Sequence, residues 1–394
     1  MKYIFYIFAA ATILATILSI IRLQYWWIRI FDFPRLQVMF LGIVACFAFA
    51  LMRHYSPYAV TILILLLLSI AWQVYMILPF FPVAPKQVES SPPREEGHTL
   101  RLMIVNVQMD NRNSSKCITV IKKAAPDILL AVETDAWWQE QLDGLNDVLP
   151  HKIGLPLDNT YGMLLYSRLQ LIDPLIRFLV KDDVPMIHTG IELEPGAAIS
   201  FYGVHPEPPI ITENDSSEDR DLELILVAKE IKNDPVPVLV AGDLNDVAWS
   251  RTTTLFQKIS GLLDPRRGRG FYNTFHARHW YMRWALDHIF LSRHFKLVSM
   301  QRLEKIGSDH FPILVILKFH PLFTREQENP QPDKEDINEM KEKTGDSAKS
   351  RGQETHRIDH PGPISSCPAH DPITAFGKAT AKMLNSLSEN KCAG

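Results

Sequence analysis

Six apolar, strand-like runs in this 394-residue chain end or begin on side chains that suit water better than a core. Asn106 closes LRLMIVN, Glu133 closes DILLAVE, and His205 closes AISFYGVH. Asp243 and Asn245 follow VPVLVAG, Asp287 and His288 interrupt WALDHIFLS, and Ser308, Asp309 and His310 precede FPILVILKF. Carboxylates and amides are the oxygen donors that hard cations accept. Imidazoles can donate hydrogen bonds to an oxygen on which charge is growing. Each residue alone has an ordinary explanation: Asp and Asn form turns with their own backbone, a Glu at a strand end faces solvent, and a His beside Pro206 is structural. Strand ends on one edge of a sheet converge in space, so one shared site accounts for all six better than six coincidences do.

The elements that must position these residues are legible. Leu100 to Phe319 holds strand signals at LRLMIVNV, DILLAVE, YGMLLYS, AAISFYGVH, VPVLVAGD, LDHIFLS and FPILVILKF. Each is a short β-branched or aliphatic run bounded by turn residues. The stretch 114–127 reads as a helix capped by Ser114 or Ser115 and ended before Pro126. The stretch 216–233 reads as another, with acids in its first turn and lysines in its last, as the helix dipole prefers. Many strands with interspersed helices predict an α/β (α+β) layered domain. No internal repeat suggests a solenoid.

Taken in order, Glu133, His205, GDLN (242–245), LDHIF (286–290) and SDHFP (308–312) resemble the endonuclease/exonuclease/phosphatase superfamily, the deoxyribonuclease I-like fold, over about Leu100 to Phe319. With its apolar start, the chain looks like a membrane-anchored bacterial type of that superfamily. The resemblance implies a four-layer sandwich of two packed β-sheets flanked by helices. It also implies cleavage of phosphoester bonds with Mg²⁺ or Mn²⁺, whose charge offsets that of the phosphate oxygens. In that reading Glu133 is the leading metal ligand, supported by Asn106, with Asp309 a further candidate. Asp243 orients or deprotonates the attacking water and Asn245 fixes the phosphate. His205 and His310 donate to phosphoryl oxygens, and Asp309 holds the tautomer of His310. Asp287 is a further metal or imidazole partner. Many relatives carry an acid two residues after the first Asn. This chain has Gln108 there, which leaves a second metal position without that acid.

The rest of the chain sets context. Residues 1–80 contain three apolar runs, at 3–23, about 37–53 and 58–78, and are expected to anchor the protein as three transmembrane helices, with two as the alternative. Tyr25, Trp26, Trp27, Trp72 and Tyr75 lie near their ends, where aromatic rings favour the membrane interface. A bacterial inner membrane is the expected location. The positive-inside rule and the very short N-terminus point in opposite directions, so the side of the catalytic domain stays open. Residues 81–99, rich in Pro and charge, are expected to be a semi-stiff tether, 100–320 the catalytic domain, and 321–394 a disordered polar tail in which 373–387 could form a short helix. The net charge of −3 provides no global basic field for nucleic acid. Cys46, Cys117, Cys367 and Cys392 are too scattered for a zinc site or disulfide framework.

The expected partners are the lipid bilayer and a phosphoester substrate. The stretch 264–284 concentrates arginines among aromatics, and Arg266, Arg267 and Arg269 are expected to bind that substrate. A nucleic-acid backbone and anionic headgroups fit such a loop equally well. A small-molecule phosphatase and a non-catalytic adaptor that kept the fold remain as alternatives.

Overall fold

A computed structural model describes residues 2–351, apart from 53–54, 93–94, 96, 195–196, 210–215 and 321–326. The expected helix at 373–387 lies outside the described residues.

Two mixed sheets are packed face to face. The first is built from β1 (His98–Asn106), β2 (Ile128–Val132), β3 (His151–Leu155), β4 (Met163–Ser167), β10 (Phe295–Arg302) and β11 (Ile313–Phe319), in the order β10-β11-β1-β2-β4-β3. The second contains β5 (Leu171–Arg177), β6 (Met186–Glu194), β7 (Ala197–Gly203), β8 (Val238–Asp243) and β9 (Asp287–Leu291), in that order. Alternation along the strands sends one set of side chains inward. Leu102, Ile104, Leu130 and Val315 of the first sheet meet Phe201, Leu239, Ala241 and Ile289 of the second in one buried core. Leu→Ala in such a core typically costs 2–5 kcal/mol.

The opposite faces are covered by helices. On the first sheet lie α5 (Ser114–Ala124) and α6 (Ala136–Leu142), through Cys117, Val120, Ile121 and Trp138. Across the second lie α7 (Glu218–Lys232) and α8 (Arg251–Ser260), through Leu224, Ile225, Val227, Leu255 and Phe256. The expected four-layer arrangement of helices, two sheets and helices is therefore present.

Register explains why the polar strand ends meet. β1 and β2 run parallel with Asn106 beside Val132, which places Asn106 and Glu133 at one rim. β8 and β9 are antiparallel with Asp243 directly opposite Asp287. β11 enters beside β1 with Ile313 opposite Ile104, so His310 arrives at the same rim.

Three apolar helices precede the sandwich: α1 (Lys2–Ile20), α3 (Arg35–Ala50) and α4 (Pro57–Ile77), with a short α2 (Trp26–Arg29) between the first two. α1 and α4 are each long and apolar enough to cross a membrane, and α3 adds a third candidate when joined to α2 across a 70° bend. Their ends nearest the sandwich are held together by Arg35, which donates to Asp32 (2.8 Å) and to Gln73 of α4 (3.2 Å). Gln73 in turn donates to Thr16 of α1 at 2.9 Å.

Two sequence expectations meet a different arrangement. Residues 81–99 are not a free tether. Val88 is buried in the main core, and the backbones of Glu89 and Ser91 pair with Leu297. The expectation of a structureless tail also fails over α9 (Lys334–Arg351). Charge docks this polar helix: Asp336 accepts from Arg251 (2.9 Å) and Lys258 (2.7 Å), and Lys343 pairs with Asp221 at 2.9 Å. Composition reports solubility of a free helix and is blind to partners on α7 and α8.

Candidate active site

Three residues of the rim hold a left-handed backbone: Gln108 (φ 56°), Glu133 (φ 57°) and Asn245 (φ 52°). For a residue with a Cβ this conformation costs about 1–2 kcal/mol, and such strain gathers where side-chain aim matters. Gly242 is required for another reason. A Cβ there would lie 1.8 Å from the carbonyl oxygen of Val204, so only glycine lets β8 approach the segment that carries His205.

The side chains form a connected set. The Asn106 amide donates to Glu133 (2.6 Å) and to Asp243 (3.1 Å), while its oxygen accepts from the Gln108 N–H at 2.9 Å. Asp243 is fully buried, accepts from the Asn245 N–H at 2.9 Å, and lies 3.5 Å from Nε2 of His310. His310 Nδ1 donates to Asp287 at 2.9 Å. Glu133, His205 and Asp243 offer ligand atoms within 4.8 Å of one another, as do Asp243, Asp287 and His310.

Electrostatics separate the two imidazoles. Burial drives the His205 pKa down to about 4, against the pull of Asp243, so its ring is neutral. Burial also opposes charge on His310, but Asp287, Asp243 and Asp309 outweigh it and push the pKa up to about 10. One neutral and one cationic imidazole near the same carboxylate is a pair whose environments push their pKa values apart. Burial raises Glu133 to about 7, although the Asn106 amide and His310 favour its anion.

The donor set fits a hard divalent cation. Glu133 and Asp243 bring two carboxylates together with a single amide between them. Asn106 and the cationic His310 offset that charge in part, and a cation bound beside Glu133 would oppose the upward pull of burial on it. Oxygen donors suit Mg²⁺, and the imidazole of His205 would also suit Mn²⁺.

The family model for the endonuclease/exonuclease/phosphatase family matches residues 103–310, more than half of the chain. The chain belongs to that family. Structural relatives of this endonuclease/exonuclease/phosphatase protein include humanized Danio rerio TDP2, with 18% identity over 56% of this chain and 99% of that one and a TM-score of 0.48. The human Nocturnin catalytic domain with bound sulfate shares 17% identity over 56% of this chain and 94% of its own, with a TM-score of 0.46. An endonuclease/exonuclease/phosphatase from Beutenbergia cavernae shares 16% over 57% and 72%, with a TM-score of 0.44. No curated protein matched the sequence.

Asn106, Glu133, His205, Asp243, Asp287 and His310 are thus brought together, but several assigned roles change. Asp287, not Asp309, orients His310. The Asp309 backbone is fixed by Gln108 (3.2 Å) and the Ala277 N–H (2.6 Å), and its carboxylate accepts from the Ser308 hydroxyl at 3.5 Å, whereas the His310 ring bonds Asp287. Asp309 also lies outside both clusters that could hold a metal among the described residues. The Asn245 amide donates to the Pro206 carbonyl at 2.9 Å, which ties the two loops bearing His205 and Asp243.

The arginine expectation needs the largest correction. Arg266 is fully buried in an ion pair with Asp264 (2.8 Å) and donates to Nδ1 of His288 at 2.7 Å. Arg267 stacks over Phe80, 5.7 Å from the ring centre. Arg269 donates to the carbonyls of Pro265 and Val88. The loop fastens the end of α4 and the following segment to the sandwich: Arg266 and Arg269 donate to the chain itself, and Arg267 packs on Phe80.

Sequence reasoning missed one contributor and, having noted Arg278 in the arginine-rich stretch, left it out of the substrate-binding set. Arg220 on α7 donates to the Asn245 carbonyl at 2.9 Å and pairs with buried Asp246 at 3.4 Å, bracing the loop after β8. The acid directly after GDLN was the available signal. Arg278 is exposed and donates to Gln108, which makes it the arginine of its stretch that stays at the rim.

Proposed function

We propose that this protein is a membrane-anchored, divalent-metal-dependent phosphoester hydrolase of the phosphodiesterase or nuclease type. The observation that carries the reading is the continuous set Glu133–Asn106–Asp243–His310–Asp287 at the rim of both sheets. Bound at Glu133 with Asp243 and Asn106, a Mg²⁺ or Mn²⁺ ion would neutralise phosphate charge. Asp243 would accept a proton from the attacking water. His310, held cationic by Asp287, donates from Nε2 toward a phosphoryl oxygen, and neutral His205 faces the same space. Aiming fixed donors where charge develops is the largest single contribution in such reactions.

Anchoring is supported by two or three helices of sufficient length and apolarity, with 1–80 as anchor and 100–320 as catalytic unit. The test uses the full-length protein in nanodiscs with bis-p-nitrophenyl phosphate, nucleic acids, phospholipids and sugar phosphates. Hydrolysis that needs Mg²⁺ or Mn²⁺ and stops with chelator is expected. A folded protein that binds metal yet cleaves nothing would instead be a non-catalytic adaptor.

A further inference from the structure

Beyond the catalytic set, one surface feature presents large apolar side chains that the fold does not bury. Trp280, Tyr281 and Met282 are 80%, 54% and 39% exposed, the only run of three consecutive exposed large apolar residues among the described residues. A monomer in water gains nothing from such a run.

The depth of this run relative to α3 follows from direct contacts. The Gln37 side chain donates to the Tyr281 carbonyl at 2.8 Å, and Phe33 meets Trp284 edge-on at 5.6 Å between ring centres. Leu36 and Met39 pack against the same buried cluster, around Phe80, Trp249 and Leu286, that Phe275 and Trp284 pack against. Gln37 lies two residues into α3, about 3 Å along its axis. The polar layer on each side of a bilayer is about 5–7 Å thick. If α3 is a span, Trp280, Tyr281 and Met282 sit at the level of the headgroups, where Trp and Tyr are favoured.

The same loop is a wall of the active site. The Phe275 ring lies 5.0 Å from that of His310, and Ala277 N–H donates to the Asp309 carbonyl at 2.6 Å. Arg278 donates to Gln108 and, at 3.2 Å, to the Gly307 carbonyl. Arg283, Arg302 and Lys305 surround Phe311, next to His310, with distances to its ring centre of 5.2, 4.4 and 5.8 Å. Basic groups at this level meet anionic headgroups. A basic rim with exposed aromatics suits single-stranded nucleic acid as well; what favours headgroups is the Gln37–Tyr281 contact, which fixes the run beside the first turn of α3.

We propose that the Trp280–Met282 loop is seated in the headgroup layer and that the active site acts on phosphoesters of amphiphilic lipids in the same bilayer. This rests on the membrane-anchored phosphoesterase reading and names its substrate class. The lipid keeps its chains in the bilayer while its phosphoester reaches Glu133 and His310 past the loop.

The test compares wild type with the double variant Trp280→Ser/Met282→Ser, both full length in nanodiscs of phosphatidylethanolamine, phosphatidylglycerol and cardiolipin with Mg²⁺ or Mn²⁺. Soluble bis-p-nitrophenyl phosphate reports the catalytic centre, mass spectrometry reports lipid cleavage, and DNA and RNA oligonucleotides are offered in parallel. Lipid turnover should fall about 10–100-fold in the variant, which is about 1.4–2.7 kcal/mol and corresponds to partial withdrawal of two apolar side chains from the headgroup layer, with the soluble diester cleaved as before. Tryptophan quenching by lipids brominated near the headgroup should drop in Trp280→Phe. Equal lipid turnover by both proteins, unchanged quenching, or cleavage of oligonucleotides in place of lipids would overturn the proposal. Failure of the wild type on the soluble diester as well would instead remove the phosphoesterase reading on which it rests.

Discussion

His310 Nδ1 donates to the carboxylate of Asp287 at 2.9 Å, while the opposite ring nitrogen stands 3.5 Å from Asp243. The imidazole is therefore gripped on one side and aimed on the other. Its aim depends on a residue 23 positions away in sequence, not on its neighbour Asp309.

Asp287→Asn should lower the His310 pKa by about 1–3 units, the effect of losing an adjacent opposite charge, whereas Asp309→Asn should change it far less. The wild-type ring titrates at about 10, against about 6.5 when unfolded. The stabilisation that this proton confers is full below the unfolded value and is lost as pH rises through about 10. Imidazole NMR titration of the metal-free protein checks the shift, and equal effects of the two variants would contradict the assignment.

Arg266→Ala should destabilise the protein by about 3–5 kcal/mol, because it strands the buried Asp264 carboxylate. Thermal melts read the loss. An unchanged melting temperature with weakened substrate binding would return the loop to the role that its sequence suggests.

Metal affinity should rise with pH. Metal-free Glu133 titrates at about 7, so protons compete with the cation below that value and cease to do so above it. The Mn²⁺ midpoint should fall by up to about tenfold per pH unit between pH ~5.5 and ~7, then level off. Calorimetric titrations across that range would show it, and a flat profile would contradict Glu133 as a ligand.

Gly242→Ala should cost about 2–3 kcal/mol and disturb turnover together, since the new methyl group meets the Val204 carbonyl between His205 and Asp243. Normal melting and activity would show that the close approach is not needed.

The strand ends carrying Asn106, Glu133, His205, Asp243, Asp287 and His310 were legible because apolar alternation stops at each of them. The number and spacing of those strands indicated only a layered α/β domain, and the two-sheet architecture came from the resemblance to the family. Partnerships within the rim were not legible. Asp287 and Asp309 offer the same carboxylate to His310, and only the β8–β9 register and the path of the Ser308–His310 segment decide between them. Arg266 misled for a similar reason. A glycine-flanked arginine run lacks periodicity whether it faces solvent or a buried acid, although Asp264 two residues earlier was a hint. The docking of α9 and Val88 depends on distant surfaces that local composition does not record.

The central claim is that Glu133 holds a catalytic cation while His310 acts on the phosphate. The most direct measurement is hydrolysis of bis-p-nitrophenyl phosphate as a function of Mn²⁺ concentration, in wild type, Glu133→Gln and His310→Ala. Glu133→Gln should raise the Mn²⁺ midpoint and lower the maximal rate together. His310→Ala should leave the midpoint in place and lower the rate about 10²–10³-fold, the usual loss for one donor to a developing charge. Curves for both variants that coincide with wild type would contradict the account.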